Sequence, residues 1–172
     1  GYTAQQTLDY VQALYEKKLA TYPRTDSQYL TEDMQATAAS LILWLRDNMP
    51  FGKGCTGEPD IDRVTDGSKV TDHHAIIPTV EIARTDLSEL PSGERDVLTL
   101  IAARLLCATA QAHRFEAVTA VLDCGGHSFT AKGKTVLQTG WKEVERLYRM
   151  ELKQSKAEEK ENEDTALPPL QE

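Results

Sequence analysis

Residues 19–30 read Leu19-Ala20-Thr21-Tyr22-Pro23-Arg24-Thr25-Asp26-Ser27-Gln28-Tyr29-Leu30. Pro23 fixes its own φ and disfavours helical geometry for Tyr22, so a helix arriving from the left must stop before this stretch. The periodicity on both sides is helical. Thr3 with Gln6 forms a capping-box pattern, followed by Leu8, Val11, Leu14 and Tyr15 at helical spacing. That helix should end near Lys18. A second should start at Thr31, with Glu32 and Asp33 complementing the dipole in its first turn. Its apolar stripe is Met34, Ala38, Leu41, Leu45 and Met49, and Pro50 with Gly52 stops it. In an extended segment i and i+2 share a side, so the Tyr22 phenol and the Arg24 guanidinium can face one target. Tyrosine is a nucleophile once its ionised form is favoured, and arginine matches a phosphate in shape. By itself Tyr22-Pro23-Arg24 also fits a turn with a solvated arginine and a half-buried tyrosine.

Further along, residues 51–70 hold five glycines or prolines and read as a surface loop. A third helix is expected from Ser92, as cap, to about Ala112, with Val97, Ile101, Leu105 and Ala108 on one face. Ala117–Leu122 alternates, Gly125-Gly126 supplies a two-residue turn, and Ser128–Ala131 returns as the second strand of a hairpin. Trp141–Tyr148 reads as a short last helix. Residues 151–166, rich in Lys, Glu and Gln with few apolar anchors, read as a solvated and poorly ordered connector.

Composition narrows the function. The net charge is −8, and half of it lies in residues 151–172, which argues against a stand-alone nucleic-acid binder. No apolar run approaches the length of a membrane span, and no signal-peptide pattern opens the chain. Cys55, Cys107 and Cys124 lack zinc-site spacing and suggest buried thiols in a reducing cytosol. Neither a cysteine nor an acidic pair sits at ligand spacing to His73 and His74, so a metal role for them is not expected.

Tyr15 through Leu30 strongly resembles the active-site segment of type IA DNA topoisomerases. Thr71-Asp72-His73-His74-Ala75-Ile76-Ile77-Pro78-Thr79 resembles that family's second catalytic-domain motif. The proline after the tyrosine and the paired histidines look more like the topoisomerase III branch than the topoisomerase I branch. Gly133–Leu137, Gly140–Val144 and the Leu167-Pro168-Pro169-Leu170 stretch are similar to the strand-rich part that follows the catalytic domain.

The resemblance implies an α+β, mainly α-helical fragment: the helical catalytic domain with an appended β-hairpin. Residues 1–112 would be the tyrosine-bearing gate domain, 113–148 part of the strand-rich hinge domain, and 149–172 an acidic connector. Tyr22 would attack a phosphodiester to give a 5′-phosphotyrosine and a free 3′-hydroxyl, resealed without ATP after another strand passes. Arg24 would steady the phosphate. His73 would hold the phosphate or tune Tyr22, with His74 beside it as a DNA contact or a structural residue, since adjacent rings in an extended stretch point apart. Asp26 and Ser27 fit turn hydrogen bonds.

Implied partners are single-stranded DNA and the remaining domains of the same polypeptide, with no membrane and a cytoplasmic, nucleoid-associated location. The Mg2+ of the full-length enzyme would be held outside this fragment, which binds none itself and would be inactive alone; no Asp-x-Asp-x-Asp cluster occurs in the 172 residues. The alternative is a non-catalytic DNA-binding or interaction module.

Overall fold

The computed structural model describes residues 1–165, with side chains for residues 1–155. Among the described residues are four α-helices and one antiparallel hairpin: α1 (Ala4–Glu16), α2 (Gln35–Asn48), α3 (Ser92–Thr109), β1 (Arg114–Cys124), β2 (His127–Gln138) and α4 (Trp141–Thr165). The α+β, mainly helical architecture is the one expected. No described helix is long and apolar enough to cross a membrane.

The end of α1 sets up everything after it. Thr3 and Gln6 close the capping box at its start. At its end Lys18 takes φ 62°, its N–H donates to the Tyr15 carbonyl (2.9 Å), and the Leu19 N–H donates to the Leu14 carbonyl (2.8 Å). These two bonds make a Schellman cap, which reverses the chain and buries Leu19 beside Leu14. The left-handed position usually goes to glycine, and here a lysine occupies it. Lys17, the helix cap, donates to Glu94 at 2.5 Å and so ties the end of α1 to the first turn of α3. The two helices also approach closely at Gly93, where a Cβ would stand 2.3 Å from the Tyr10 ring.

The core lies between α1, α2, α3 and the first part of α4, with Leu14, Ile42, Leu45, Phe51, Leu98, Leu106 and Val144 fully enclosed. Burial of such side chains contributes roughly 1.5–3 kcal/mol each. Ile42, absent from the expected stripe of α2, belongs to it.

Several expectations are corrected. The first turn of the second helix is 3-10 (Glu32–Met34); Glu32 and Asp33 stand in it as expected, and Glu32 also accepts from the Gly67 N–H (3.0 Å). Of residues 51–54, Phe51, Gly52 and Gly54 are buried, not surface loop, and Lys53 alone is exposed; Phe51 lies edge-on against Tyr148, at 5.6 Å between ring centres. Gly54 lies so close to α4 that a Cβ would sit 2.6 Å from the Val144 nitrogen. Pro91 precedes α3 as its cap, and Ser92 is already helical.

The hairpin is longer than its alternation suggested, turning through Gly125 and Gly126 at positive φ. At its root the Trp141 N–H donates to the Gln111 carbonyl (2.8 Å), so the chain leaves and re-enters the helical body at one point. Trp141–Tyr148, grouped by sequence with the hairpin, packs instead on α3 and the Pro50–Gly54 turn. The helix then continues to Thr165, where a connector was expected, because strong helix formers (Glu, Lys, Gln, Ala) follow the stretch in which Glu143–Arg146 (2.6 Å) and Glu145–Arg149 (2.8 Å) pair. The Leu167–Leu170 stretch lies outside the described residues. Of the cysteines, Cys55 and Cys107 are half-buried, but Cys124 is exposed on the hairpin.

Candidate active site

Two extended segments, residues 19–30 and 71–79, lie side by side and brace each other. Ala20 pairs with Pro78 in an antiparallel bridge. The Thr21 N–H donates to the Ile77 carbonyl (3.0 Å), and the Thr79 N–H to the Leu19 carbonyl (3.0 Å). Side chains add to this ladder. Thr21 Oγ1 accepts from the Ile77 N–H (3.0 Å) and donates to the Ala75 carbonyl (3.2 Å); Thr79 Oγ1 donates to the Lys18 carbonyl. Farther along, Thr25 Oγ1 donates to the His73 carbonyl (2.7 Å) and the Ala75 N–H to the Tyr29 carbonyl (2.9 Å). The second motif is therefore the structural partner of the first. Each segment fills backbone valences that the other would otherwise leave open.

This bracing puts Tyr22 against His73. Their ring centres are 4.4 Å apart with planes inclined at 47°. On the other side Tyr15, from the last turn of α1, meets the Tyr22 ring edge-on at 5.3 Å. The phenol is thus clamped between two rings, a geometry that adds to simple burial. Tyr22 is half-buried, and its hydroxyl has no hydrogen-bond partner among the described residues. Pro23 is buried and anchors the turn.

Arg24 is exposed, and no ion pair or hydrogen bond engages it among the described residues. A bend at Pro23 interrupts the regular alternation expected between Tyr22 and Arg24, and no hydrogen bond or cation–π contact joins the two. His73 is exposed, whereas His74 is half-buried with Nδ1 2.8 Å from the Ala75 carbonyl oxygen. The structure therefore brings Tyr22 and His73 together, and engages the His74 ring with its neighbour's backbone.

Beyond Arg24 the segment is held as a shaped loop. Ser27 Oγ donates to the Lys69 carbonyl (2.8 Å) and accepts from the Tyr29 N–H (3.1 Å), and Ser27 N–H donates to Thr25 Oγ1 (3.0 Å). The turn role expected of Ser27 holds. Asp26 accepts no such bond among the described residues and faces solvent. Lys69 lies 4.3 Å over the Tyr29 ring and pairs with Asp66, which raises its pKa; Asp66 in turn is lowered, first by its bond from Ser68 and then by Lys69. Sequence reasoning did not single out Thr21, Thr25 and Tyr15 as site-builders. The threonines carry no periodic signal, and Tyr15 reads simply as part of a helix face.

No group of three or more His, Cys, Asp or Glu residues able to hold a metal ion exists among the described residues.

Comparison with known proteins agrees with these two braced motifs. The family model of DNA topoisomerases matches residues 1–172. The chain is similar to the DNA topoisomerase 3 of Bacillus subtilis (strain 168), with 37% identity over 99% of the chain and 23% of the relative. It is also similar to the DNA topoisomerase 3 of Bacillus cereus (strain ATCC 14579), with 38% identity over 84% of the chain and 20% of the relative. The protein of that name from Bacillus licheniformis gives 38% identity over 84% of the chain and 20% of its own length. The chain thus spans about a quarter or less of the length of the curated relatives it matches. With a family match along its whole length and the Tyr22 and His73 motifs locked together, the chain belongs to the DNA topoisomerase family, as a type IA member of the topoisomerase III-like kind.

Proposed function

We propose that this chain is the tyrosine-bearing part of an enzyme that cuts and reseals one DNA strand through Tyr22. The observation that carries the reading is the clamped Tyr22 ring, whose hydroxyl is unengaged, in a segment that also presents an unpaired Arg24. The Tyr22 oxygen attacks phosphorus, the bond to the 3′ oxygen breaks, and that oxygen leaves as a 3′-hydroxyl after taking a proton. One phosphoester replaces another, so the reverse attack reseals the strand without ATP, and one hard step becomes two easier ones. Arg24 stabilises the charge that develops on the phosphate through charge-assisted hydrogen bonds. His73, packed at an incline against the tyrosine ring, keeps that ring in place and offers a ring nitrogen to the phosphate. His74 supports the segment through its bond to the Ala75 carbonyl.

The Mg2+ that the family uses would be supplied by donors outside this chain, and no step above is assigned to it. Single-stranded DNA is the proposed substrate, and passage of a second strand through the gap the proposed outcome, carried out in the cytoplasm at the nucleoid. Residues 1–112 act as the gate, joined by 141–155 of α4. The hairpin belongs to a strand-rich part completed by the remaining domains of the polypeptide. The apolar face formed by Val118, Leu122 and Phe129, which no described residue covers, supports that assignment. The chain alone would neither cleave nor relax DNA efficiently.

The test is cleavage of a single-stranded oligonucleotide by the complete polypeptide. Tyr22→Phe should abolish the covalent adduct, and Arg24→Ala should slow cleavage by about 10²–10³. Cleavage that survives Tyr22→Phe would remove Tyr22 from the chemistry.

A further inference from the structure

The outward side of α3 borders two clefts that share Arg104 and Ala108. The larger, about 550 Å³, runs between α3 and the Thr25–Gln28 loop that follows Tyr22, over an apolar floor that includes Leu30, Val64 and Ile101. The smaller, about 210 Å³, is lined by Arg63, Arg104, Cys107 and Trp141. In a chain with 27 acidic and 19 basic residues, two arginines around one cleft are a local reversal of sign.

Neither arginine is neutralised there. Arg104 is exposed and has no ion pair or hydrogen bond among the described residues. Arg63 donates from Nη1 to the Ala110 carbonyl (2.7 Å), a bond that orients its fork while using one of its five N–H groups. Lys142 adds a third cation, 5.8 Å from the centre of the Trp141 ring. Of the nearby carboxylates, Glu145 is engaged by Arg149 (2.8 Å), and Asp26 stands at the far wall of the larger cleft. A half-buried indole flanked by unpaired guanidinium groups has the chemistry of a single-strand track, in which cations follow the backbone and flat side chains stack the bases.

We propose that the joined clefts form a nucleic-acid subsite that leads a single strand toward the Tyr22 loop, with phosphates on Arg104 and Arg63 and a base against Trp141. The apolar floor of the larger cleft takes the next base, where a phosphate would meet Asp26. The subsite rests on the reading of the chain as a strand-cutting enzyme, and supplies it with positioning residues distant in sequence from both motifs.

The experiment measures binding of a fluorescein-labelled twelve-nucleotide oligothymidylate by the complete polypeptide carrying Tyr22→Phe, which binds without cutting. Arg104→Ala should weaken binding about five- to tenfold at low salt and reduce the slope of log affinity against log salt by about 0.7, the value for one lost contact to a single-strand phosphate. A second readout leaves the subsite intact: with Trp44→Phe removing the other indole of this chain, and any tryptophan elsewhere in the polypeptide likewise replaced by phenylalanine, saturating oligonucleotide should quench Trp141 emission. Unchanged affinity and slope in Arg104→Ala overturns the proposal, and so does weakened binding without any change in Trp141 emission. Either result leaves the Tyr22 assignment standing, because loss of cleavage in Tyr22→Phe is scored separately.

Discussion

Leu98 and Leu122 are the same residue type with opposite fates. Leu98, on α3, has no exposed surface; Leu122, on β1, is 58% exposed. The helical body satisfies its apolar residues internally, since α1, α2, α3 and the start of α4 each turn a face toward one core. The hairpin does not. Its register puts Val118, Ala120 and Leu122 opposite Gly133, Ala131 and Phe129 on one face, and all of them are open to solvent. A two-stranded hairpin is at best marginally stable by itself in water, and among the described residues this one is tied to the body at its root, by the Trp141 N–H to the Gln111 carbonyl. The difference separates a part of the chain that fills a core of its own from a part whose apolar face no described residue covers.

The sharpest way to break that distinction is truncation of one large side chain in each region. Phe51→Ala in the body should cost about 3–5 kcal/mol in a denaturant titration of the purified chain, because the side chain is wholly enclosed and its site cannot collapse. Val121→Ala on the hairpin, where the side chain is 67% exposed, should change stability by no more than about 0.5 kcal/mol. Comparable losses at the two positions would mean that the hairpin has a core of its own.

The cysteines sharpen the comparison chemically. Burial pushes the Cys107 thiol up to about 11, which leaves only about one part in a thousand as thiolate at pH 8, while Cys124 stands exposed on the hairpin. Burial raises Cys55 as well. Timed alkylation at pH 8 with peptide mapping should modify Cys124 at least about tenfold faster than Cys107. The gap should narrow as the pH is raised toward 11, because the Cys107 thiolate is then no longer scarce. Equal rates at pH 8 would show that the body opens as readily as the hairpin.

A smaller effect than the core truncation is expected at the junction that leads into the candidate active site. Lys18 holds a left-handed conformation that favours glycine, so Lys18→Gly should stabilise the body by about 0.5–1 kcal/mol with the Schellman cap intact. A loss of stability would mean that contacts of the lysine side chain outweigh its backbone strain.

Much of this was legible in the sequence wherever the signal was local. The capping box at Thr3, the stop before Tyr22, the glycine pair at the hairpin tip and the two motifs could all be read from neighbouring residues. What escaped depended on distance. Phe51 reads as loop because glycines surround it, yet those glycines are what let the chain press against Arg46 and Val144. The long α4 was hidden because the sequence beyond Glu151 carries Lys, Glu and Gln in place of an apolar stripe to mark it. At the site, the meeting of Tyr22 with His73 followed from the motifs, but the clamp by Tyr15 and the threonine ladder required the fold.

The central claim is that the Tyr22 oxygen is the atom that joins to DNA. The most direct measurement traps the covalent complex of the complete polypeptide with a single-stranded oligonucleotide, digests it, and locates the nucleotide-bearing peptide by mass spectrometry. The account predicts the added phosphate on Tyr22 within residues 19–30; an adduct on Tyr15, Tyr29, His73 or any other side chain would contradict it.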